Sequence, residues 1–235
     1  MRRAFAFLTI LGGSADPTPT TFAWFPLVGA VLGLVVGALW WLTARHGAPL
    51  LAGAVALLAD LALTGLLHVD GLADAGDGLL APMTRERRLA VMADPAIGAF
   101  GAVSVVAVLL VRLAAFSSAR PAPFIVAALW CASRTSMVAI SQIMPYAREG
   151  GIVSAFLSRR HRVVLGASIA VGLAGSVALA ARCGLHGVLS VFGALLGAAL
   201  VAALAARRLG GYTGDVLGAS GVVGETLGLV LWALR

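Results

Sequence analysis

Residues 22–42 read FAWFPLVGAVLGLVVGALWWL, with no charged side chain anywhere in the stretch. A helix that crosses the hydrocarbon core of a bilayer needs about 20 mostly apolar residues. The stretch also places Gly29, Gly33 and Gly37 at intervals of four, the spacing that lets membrane helices approach one another closely. It therefore predicts a membrane-spanning helix that packs against other helices.

The whole chain of 235 residues has the same character, because 60% of it is hydrophobic and only 11% is charged. Soluble domains carry about 25% charged residues, so the composition excludes a soluble, disordered or disulfide-rich secreted protein. We expect the segment Met1–Gly13 to form an interfacial or re-entrant helix and not a cleaved signal. The fold class predicted is all-α, a polytopic transmembrane bundle formed by one domain over residues 1–235. Seven stretches can span a membrane: 22–42, 50–67, 97–115, 121–145, 163–181, 185–206 and 216–234.

The net charge of +7 comes from arginine alone and is distributed unevenly among the loops. With the N-terminus in the cytoplasm and alternating spans, the cytoplasmic segments receive Arg2, Arg3, Arg85, Arg87, Arg88, Arg148, Arg159, Arg160, Arg162, Arg207 and Arg208. The opposite side receives only Arg45, Arg120, Arg182 and Arg235. An excess of arginine in short loops marks the cytoplasmic side, so we interpret the charge as an orientation signal and expect no nucleic-acid partner.

Acidic residues are also segregated, although they contribute little to membrane orientation. Two of them, Asp60 and Glu225, lie within spans, where an ion pair of Asp60 with Arg112 or Arg134 is expected. This segregation favours a polar active site on the cytoplasmic face. The remaining acids all map to the predicted cytoplasmic side or its boundary: Asp16, Asp70, Asp74, Asp77, Glu86, Asp94, Glu149 and Asp215.

Residues 63–78, LTGLLHVDGLADAGDG, carry Asp70, Asp74 and Asp77 at positions i, i+4 and i+7. On a helix these carboxylates fall within about 60° of arc. They repel one another at a membrane boundary, and a divalent cation would relieve the repulsion. The residues between them are small or apolar, which suits a close neighbouring helix or ligand. The stripe therefore predicts a Mg²⁺ or Mn²⁺ site, with Asp94 as a fourth carboxylate.

Arginines that directly follow the acidic stripe point to a phosphorylated substrate. Arg85, Arg87 and Arg88 suit membrane anchoring, but guanidinium groups also bind diphosphates through paired hydrogen bonds. Arg148 and Asp215 belong to polar segments predicted on the same face. Metal-binding carboxylates beside arginines are what phosphoryl transfer requires.

His68 is a candidate general base because imidazole titrates near neutrality. On a continuous helix, however, it points about 120° or more away from the three aspartates. A kink at Gly71 would be needed to bring it toward them. Otherwise an interfacial, hydrogen-bonded histidine is expected.

At these residues the chain resembles the cobalamin synthase family, the adenosylcobinamide-GDP ribazoletransferases. The resemblance rests on the 63–78 segment, on RLAVMADPAIGAFG over 88–101, on Ser133-Arg134, on Tyr146-Ala-Arg148 and on GGYTGDVLGA over 210–219. FPLVG over 25–29 adds to it, so the matching elements extend from the first span to the last.

The resemblance implies a Mg²⁺-dependent transferase of the bacterial cytoplasmic membrane. Its substrates would be adenosylcobinamide-GDP and α-ribazole or α-ribazole 5′-phosphate, with release of GMP. Asp70, Asp74, Asp77 and Asp94 would hold the metal. A carboxylate, Asp74 or Asp77, or else His68 would take the hydroxyl proton. The expected partners are membrane lipid and, from the glycine spacing, a second copy of the chain. Phosphate would be bound by Arg85, Arg87, Arg88 and Arg148, and Asp215 would close the site.

Two other functions compete with this interpretation. CDP-alcohol phosphotransferases also place aspartates at a cytoplasmic helix end, but their signature continues with Ala-Arg, whereas here Ala73 is followed by Asp74. A transporter would use Asp60, Arg112, Arg134 and Glu225 as an ion pathway. It predicts ionisable residues spread through the spans and polar groups on both faces, which the clustering on one face disfavours.

Overall fold

The structure is a computed structural model that describes residues 1–11, 18–148 and 161–234. Asp16, Glu149, Arg159, Arg160 and Arg235 of the sequence analysis lie outside the described residues. The described residues contain no strand and form eleven α-helices: α1 Arg2–Leu8, α2 Pro19–Phe22, α3 Phe25–Ala44, α4 Pro49–Thr64, α5 Leu67–Leu80, α6 Arg85–Val91, α7 Ala99–Ser118, α8 Pro123–Ile143, α9 Arg162–Ala181, α10 Gly184–Leu209 and α11 Gly214–Ala233.

In the described part of the chain, six of the seven predicted spans are confirmed as single helical segments. Among the described residues, six helical segments are long and apolar enough to cross a membrane, and a seventh is added when the bent pair α4 and α5 counts as one span. The all-α, multi-pass fold class is therefore confirmed. By contrast, α1 has only seven residues and cannot span; Ala4 and Leu8 are buried. Ile10 donates a backbone hydrogen bond to the carbonyl oxygen of Leu63, which ties this segment to the end of α4.

Helix α8 lies at the centre of the bundle, with most of its side chains buried. Helix α3 packs along it at the glycine stripe quoted above. A Cβ at Gly33 would lie 2.5 Å from the carbonyl oxygen of Val126, and one at Gly29 would lie 2.5 Å from that of Trp130. Only glycine permits this approach, because the opposing atoms are backbone. Close packing within the chain thus accounts for these two glycines.

The second predicted span, 50–67, is interrupted. Helix α4 ends at Thr64, where Gly65 and Leu66 adopt left-handed backbone conformations with φ of 57° and 63°. A left-handed glycine is a common helix terminator. The chain then turns by 90° into α5, which carries the acidic stripe. Helix α5 runs without a break over Leu67–Leu80, so the bend that would redirect His68 occurs before that residue and not at Gly71.

Four buried charges form one network that joins the centres of four helices. Arg112 of α7 donates to Asp60 of α4 over 2.7 Å and to Glu225 of α11 over 2.8 Å. Arg134 of α8 also pairs with Glu225, and the Trp130 indole N–H donates to Asp60 over 2.8 Å. The expected ion pair of Asp60 is therefore confirmed with Arg112. Two cations balance two anions, which makes burial in an apolar bundle tolerable.

Candidate functional site

The loops predicted to share one side of the membrane meet at one end of the bundle, hereafter the site end. There the segment after α8 pairs with the segment before α11. The Ala147 amide donates to the Tyr212 carbonyl over 2.8 Å, and the Tyr212 amide donates to the Pro145 carbonyl over 2.9 Å. Burial raises the pKa of the Tyr212 phenol to about 12, so this group is neutral at physiological pH. The pairing positions Arg148 beside α11.

Helices α5 and α11 approach closely at two glycines. A Cβ at Gly71 would lie 3.0 Å from the carbonyl oxygen of Asp215, and one at Gly218 would lie 3.3 Å from that of His68. The small residues between the aspartates thus admit a neighbouring helix, as predicted. The result is that Asp70 and Asp74 lie on the helix that packs directly against Asp215.

The acidic residues of the site end differ in whether their carboxylates already accept hydrogen bonds. Asp77 is buried and accepts amide hydrogen bonds from Gly98 over 2.7 Å and Gly101 over 2.8 Å. Asp94 is exposed and accepts from the amide of Ala96. Within residues 1–11, 18–148 and 161–234, no hydrogen-bond donor contacts Asp70 or Asp74. These two carboxylates are therefore free to bind a ligand.

The hydrogen bonds of Asp77 have a structural cause. Helix α7 begins after Gly98, which has no side chain to cap the free amides of the first turn. A carboxylate from α5 supplies that cap and also complements the positive end of the helix dipole. Asp77 therefore fixes α7 against α5, whatever else it binds.

Arg148 is the arginine that the structure places within the acidic cluster. Its Nη2 donates to Asp215 over 3.0 Å and to the Met92 carbonyl over 2.9 Å. The carboxylates of Asp70, Asp74 and Asp215 lie near enough to interact electrostatically, so one arginine is opposed by three acids. This local excess of negative charge attracts a cation.

The donor set fits Mg²⁺ in a specific way. Among the described ranges, no group of three or more His, Cys, Asp or Glu side chains is arranged as a ready metal cage. Mg²⁺ commonly binds through one or two carboxylates together with substrate phosphates and water. Asp70 and Asp74 match that pattern, because they are acidic, close to one another and uncommitted. Of the predicted metal ligands, Asp94 lies on an exposed turn and Asp77 caps α7.

The remaining predicted phosphate-binding arginines lie elsewhere at the site end. Arg88 is buried and its Nη1 donates to the carbonyls of Gly78 over 2.6 Å and Leu79 over 3.2 Å, at the end of α5. Arg85 donates to the carbonyls of Leu209 and Ala147. Arg87 is exposed. The structure therefore brings Arg148, and not these three, beside the acids of α5 and α11.

Comparisons with known proteins show the family to which the chain belongs. The family model described as cobalamin-5-phosphate synthase matches residues 1–233. The chain belongs to the cobalamin-5-phosphate synthase family. Proteins named adenosylcobinamide-GDP ribazoletransferase from Chlorobium phaeobacteroides (strain BS1) and Shigella flexneri are similar to it. The first is 35% identical over 96% of this chain and 92% of its own length, and the second 33% over 88% and 84%. No solved structure matches the chain.

Membership places the chain among the membrane transferases of cobalamin synthesis, which agrees with the resemblance noted from the sequence.

Two features of the site end were not predicted from the sequence. The first is the pairing of the Tyr146 and Tyr212 segments. The second is the cap that Asp77 provides at the start of α7. One signal was present: residues 97–101, IGAFG, open an apolar helix without a Ser, Thr, Asp or Asn at its first positions. A helix start of this kind must find its cap elsewhere in the fold.

Arg88 and Arg87 offer a matched pair of substitutions on α6. We expect Arg88→Met to destabilise the folded protein by about 2 kcal/mol, because the carbonyl groups at the end of α5 lose a charged donor. Arg87→Met, at an exposed neighbour, should leave stability unchanged. Thermal unfolding of both variants in the same detergent checks this. An Arg88→Met protein of native stability with a raised KM would assign Arg88 to phosphate binding instead.

Proposed function

We propose that this member of the family transfers a phosphorylated corrinoid from adenosylcobinamide-GDP to α-ribazole or α-ribazole 5′-phosphate and releases GMP. The relatives carry the name of this activity. The observation that carries the proposal is the arrangement of Asp70 and Asp74, two uncommitted carboxylates, beside the Asp215–Arg148 ion pair at the site end. Such a site suits a substrate that brings a diphosphate and its own cation.

The reaction exchanges one bond to phosphorus for another. A ribose hydroxyl oxygen of the ribazole forms a bond to the phosphorus attached to cobinamide, the bond from that phosphorus to the GMP oxygen breaks, and GMP leaves with the electron pair. The hydroxyl proton passes to a carboxylate of the cluster, Asp70 or Asp74. Arg148, beside the acidic cluster, neutralises charge on the phosphate oxygens.

Mg²⁺ belongs to the proposal: Asp70 and Asp74 would hold it together with the substrate phosphates. Bound there, it would supply charge neutralisation for the diphosphate and for the departing GMP. Asp215, already paired with Arg148, keeps that arginine oriented toward the site. Asp77 acts by fixing α5 against the start of α7.

We also propose that the site end faces the cytoplasm of a bacterium, with the bundle in the cytoplasmic membrane. The arginine bias of the loops supports this orientation. Those loops meet at the site end, which makes the arginine-rich side and the acidic cluster the same side of the molecule. A substrate carrying GDP would then be drawn from the compartment in which nucleotides are abundant.

One assay tests activity, metal and orientation together. Purified protein given adenosylcobinamide-GDP and α-ribazole should release GMP only with added Mg²⁺, and a chelator should stop the reaction. In membrane vesicles with impermeant substrates, GMP should form with inside-out vesicles and not with right-side-out vesicles. A folded preparation that releases no GMP contradicts the activity. Release that persists in chelator contradicts the metal, and release from right-side-out vesicles contradicts the orientation.

The two competing functions find less support. The family match covers residues 1–233, which favours the cobalamin enzymes over CDP-alcohol phosphotransferases. A transport pathway would need ionisable groups available to a moving ion. Asp60, Arg112, Arg134 and Glu225 instead bind one another in a closed, buried network.

A further inference from the structure

A cavity of about 160 Å³ lies directly beside the acidic cluster. Its walls come from α1, α2, α3, α5, α8 and α11, and Asp70 and Asp215 form part of its lining. A dry apolar cavity of about 150 Å³ in another protein accepts benzene, so this space has the dimensions of an aromatic ring. The cavity is continuous with the site and therefore accessible to part of a substrate bound there.

Three phenylalanine rings form one wall of this cavity. Phe22 stacks on Phe25 with ring centroids 4.4 Å apart, and Phe7 stacks on Phe25 at 5.8 Å. The planes of the paired rings differ by only 18° and 22°. A planar aromatic ligand can extend such a stack, and base–aromatic stacking of this kind contributes substantially to nucleotide binding.

His68 adds a polar group to an otherwise apolar lining. Its side chain is buried, with 6% of the residue exposed, and it lines the cavity. Within the described part of the chain, its Nδ1 atom is buried and has no hydrogen-bond partner. An unsatisfied buried polar atom is costly, and a rotation of the imidazole ring that presents this nitrogen to a ligand in the cavity removes that cost. An imidazole N–H can donate to an unsubstituted ring nitrogen.

We propose that this cavity binds the aromatic base of ribazole, with the base extending the phenylalanine stack and its free ring nitrogen accepting a hydrogen bond from His68. This inference rests on the proposed function. It assigns His68 to positioning a substrate and not to proton transfer. The ribose, bonded directly to the base, then lies beside Asp70 and Asp215 at the wall of the cavity. That placement delivers a ribose hydroxyl to the acidic cluster, where the phosphate is transferred.

The proposal is tested by equilibrium binding of α-ribazole to the full-length protein in lipid nanodiscs, without the second substrate. Phe7→Leu keeps an apolar side chain but removes the ring, and should weaken binding about tenfold. Phe5→Leu is the matched control, because Phe5 lies on the same short helix and does not line the cavity. It should bind α-ribazole as the natural protein does. Equal affinities of both variants would overturn the proposal.

A second measurement needs no phenylalanine variant. An analogue of α-ribazole in which carbon replaces only the free ring nitrogen has the same shape, so the natural protein should bind it several-fold more weakly than α-ribazole. His68→Leu should abolish that preference. A preference that persists in His68→Leu overturns the assigned hydrogen bond. GMP release by the natural protein is measured separately. If the natural protein releases GMP but Phe7→Leu binds α-ribazole with unchanged affinity, the cavity assignment is refuted and the proposed function is not.

Discussion

Asp74→Asn is expected to lower the rate of GMP release by at least about 10²-fold while leaving the protein folded. Asp74 lies on α5, which packs against α11 at Gly71, and its carboxylate is near Asp70 and Asp215. An amide has the same shape but neither the charge that attracts Mg²⁺ nor the capacity to accept the hydroxyl proton. Since no described donor contacts Asp74, its loss should not disturb the packing. GMP release measured across a Mg²⁺ titration, with thermal unfolding in parallel, checks both halves of the expectation.

Two further acid-to-amide variants separate this effect from general loss of charge. Glu86→Gln removes an exposed carboxylate from α6 and should leave the activity and the Mg²⁺ requirement unchanged. Asp77→Asn should behave differently from both, because Asp77 accepts two amide hydrogen bonds at the start of α7. Its main effect should be lower stability. Full activity of Asp74→Asn with an unchanged Mg²⁺ requirement would refute the role given to Asp74.

The membrane spans could be predicted because hydropathy is a property of each segment alone. In a bilayer, an apolar stretch such as 22–42 satisfies its backbone hydrogen bonds by forming a helix, whatever its neighbours are. The ion pair of Asp60 was also predictable, since a charge within a span must find an opposite charge. The choice of Arg112 over Arg134 was not, because that depends on the rotation of α7 and α8 about their axes.

The roles of individual polar side chains at the site end were less predictable. The sequence shows that Arg88 follows the acidic stripe. It does not show that the chain folds back so that Arg88 donates to the carbonyl groups at the end of α5. Asp77 likewise belongs to the stripe by spacing, yet it caps a helix that begins 22 residues later in the chain. Helix ends find partners through tertiary contacts, which are not local in sequence. The left-handed Leu66 is a similar case, because the preceding Gly65 signals a helix end but not the direction of the next helix.

The largest loss of stability is expected for Arg112→Met, about 3–5 kcal/mol. Arg112 is fully buried and donates to Asp60, to Glu225, to the hydroxyl of Thr226 and to the carbonyl of Val222. Its removal leaves Asp60 with the Trp130 indole as its hydrogen-bond donor and without a paired cation. A buried carboxylate without a cation destabilises the fold far more than the removal of both charges of an ion pair does. Arg120→Met, at an exposed position just beyond the same helix, is the control and should leave the free energy of unfolding unchanged.

A double variant distinguishes this electrostatic cause from loss of packing. Asp60→Asn combined with Arg112→Met removes both charges, so it should be more stable than Arg112→Met alone even though it carries one more substitution. Unfolding by denaturing detergent, measured for both single variants and the double variant, gives the coupling energy between the two sites. Strictly additive losses would show that Arg112 acts through its packed side chain. A combined loss smaller than the sum of the two single losses would show that Asp60 and Arg112 stabilise the fold through their charges.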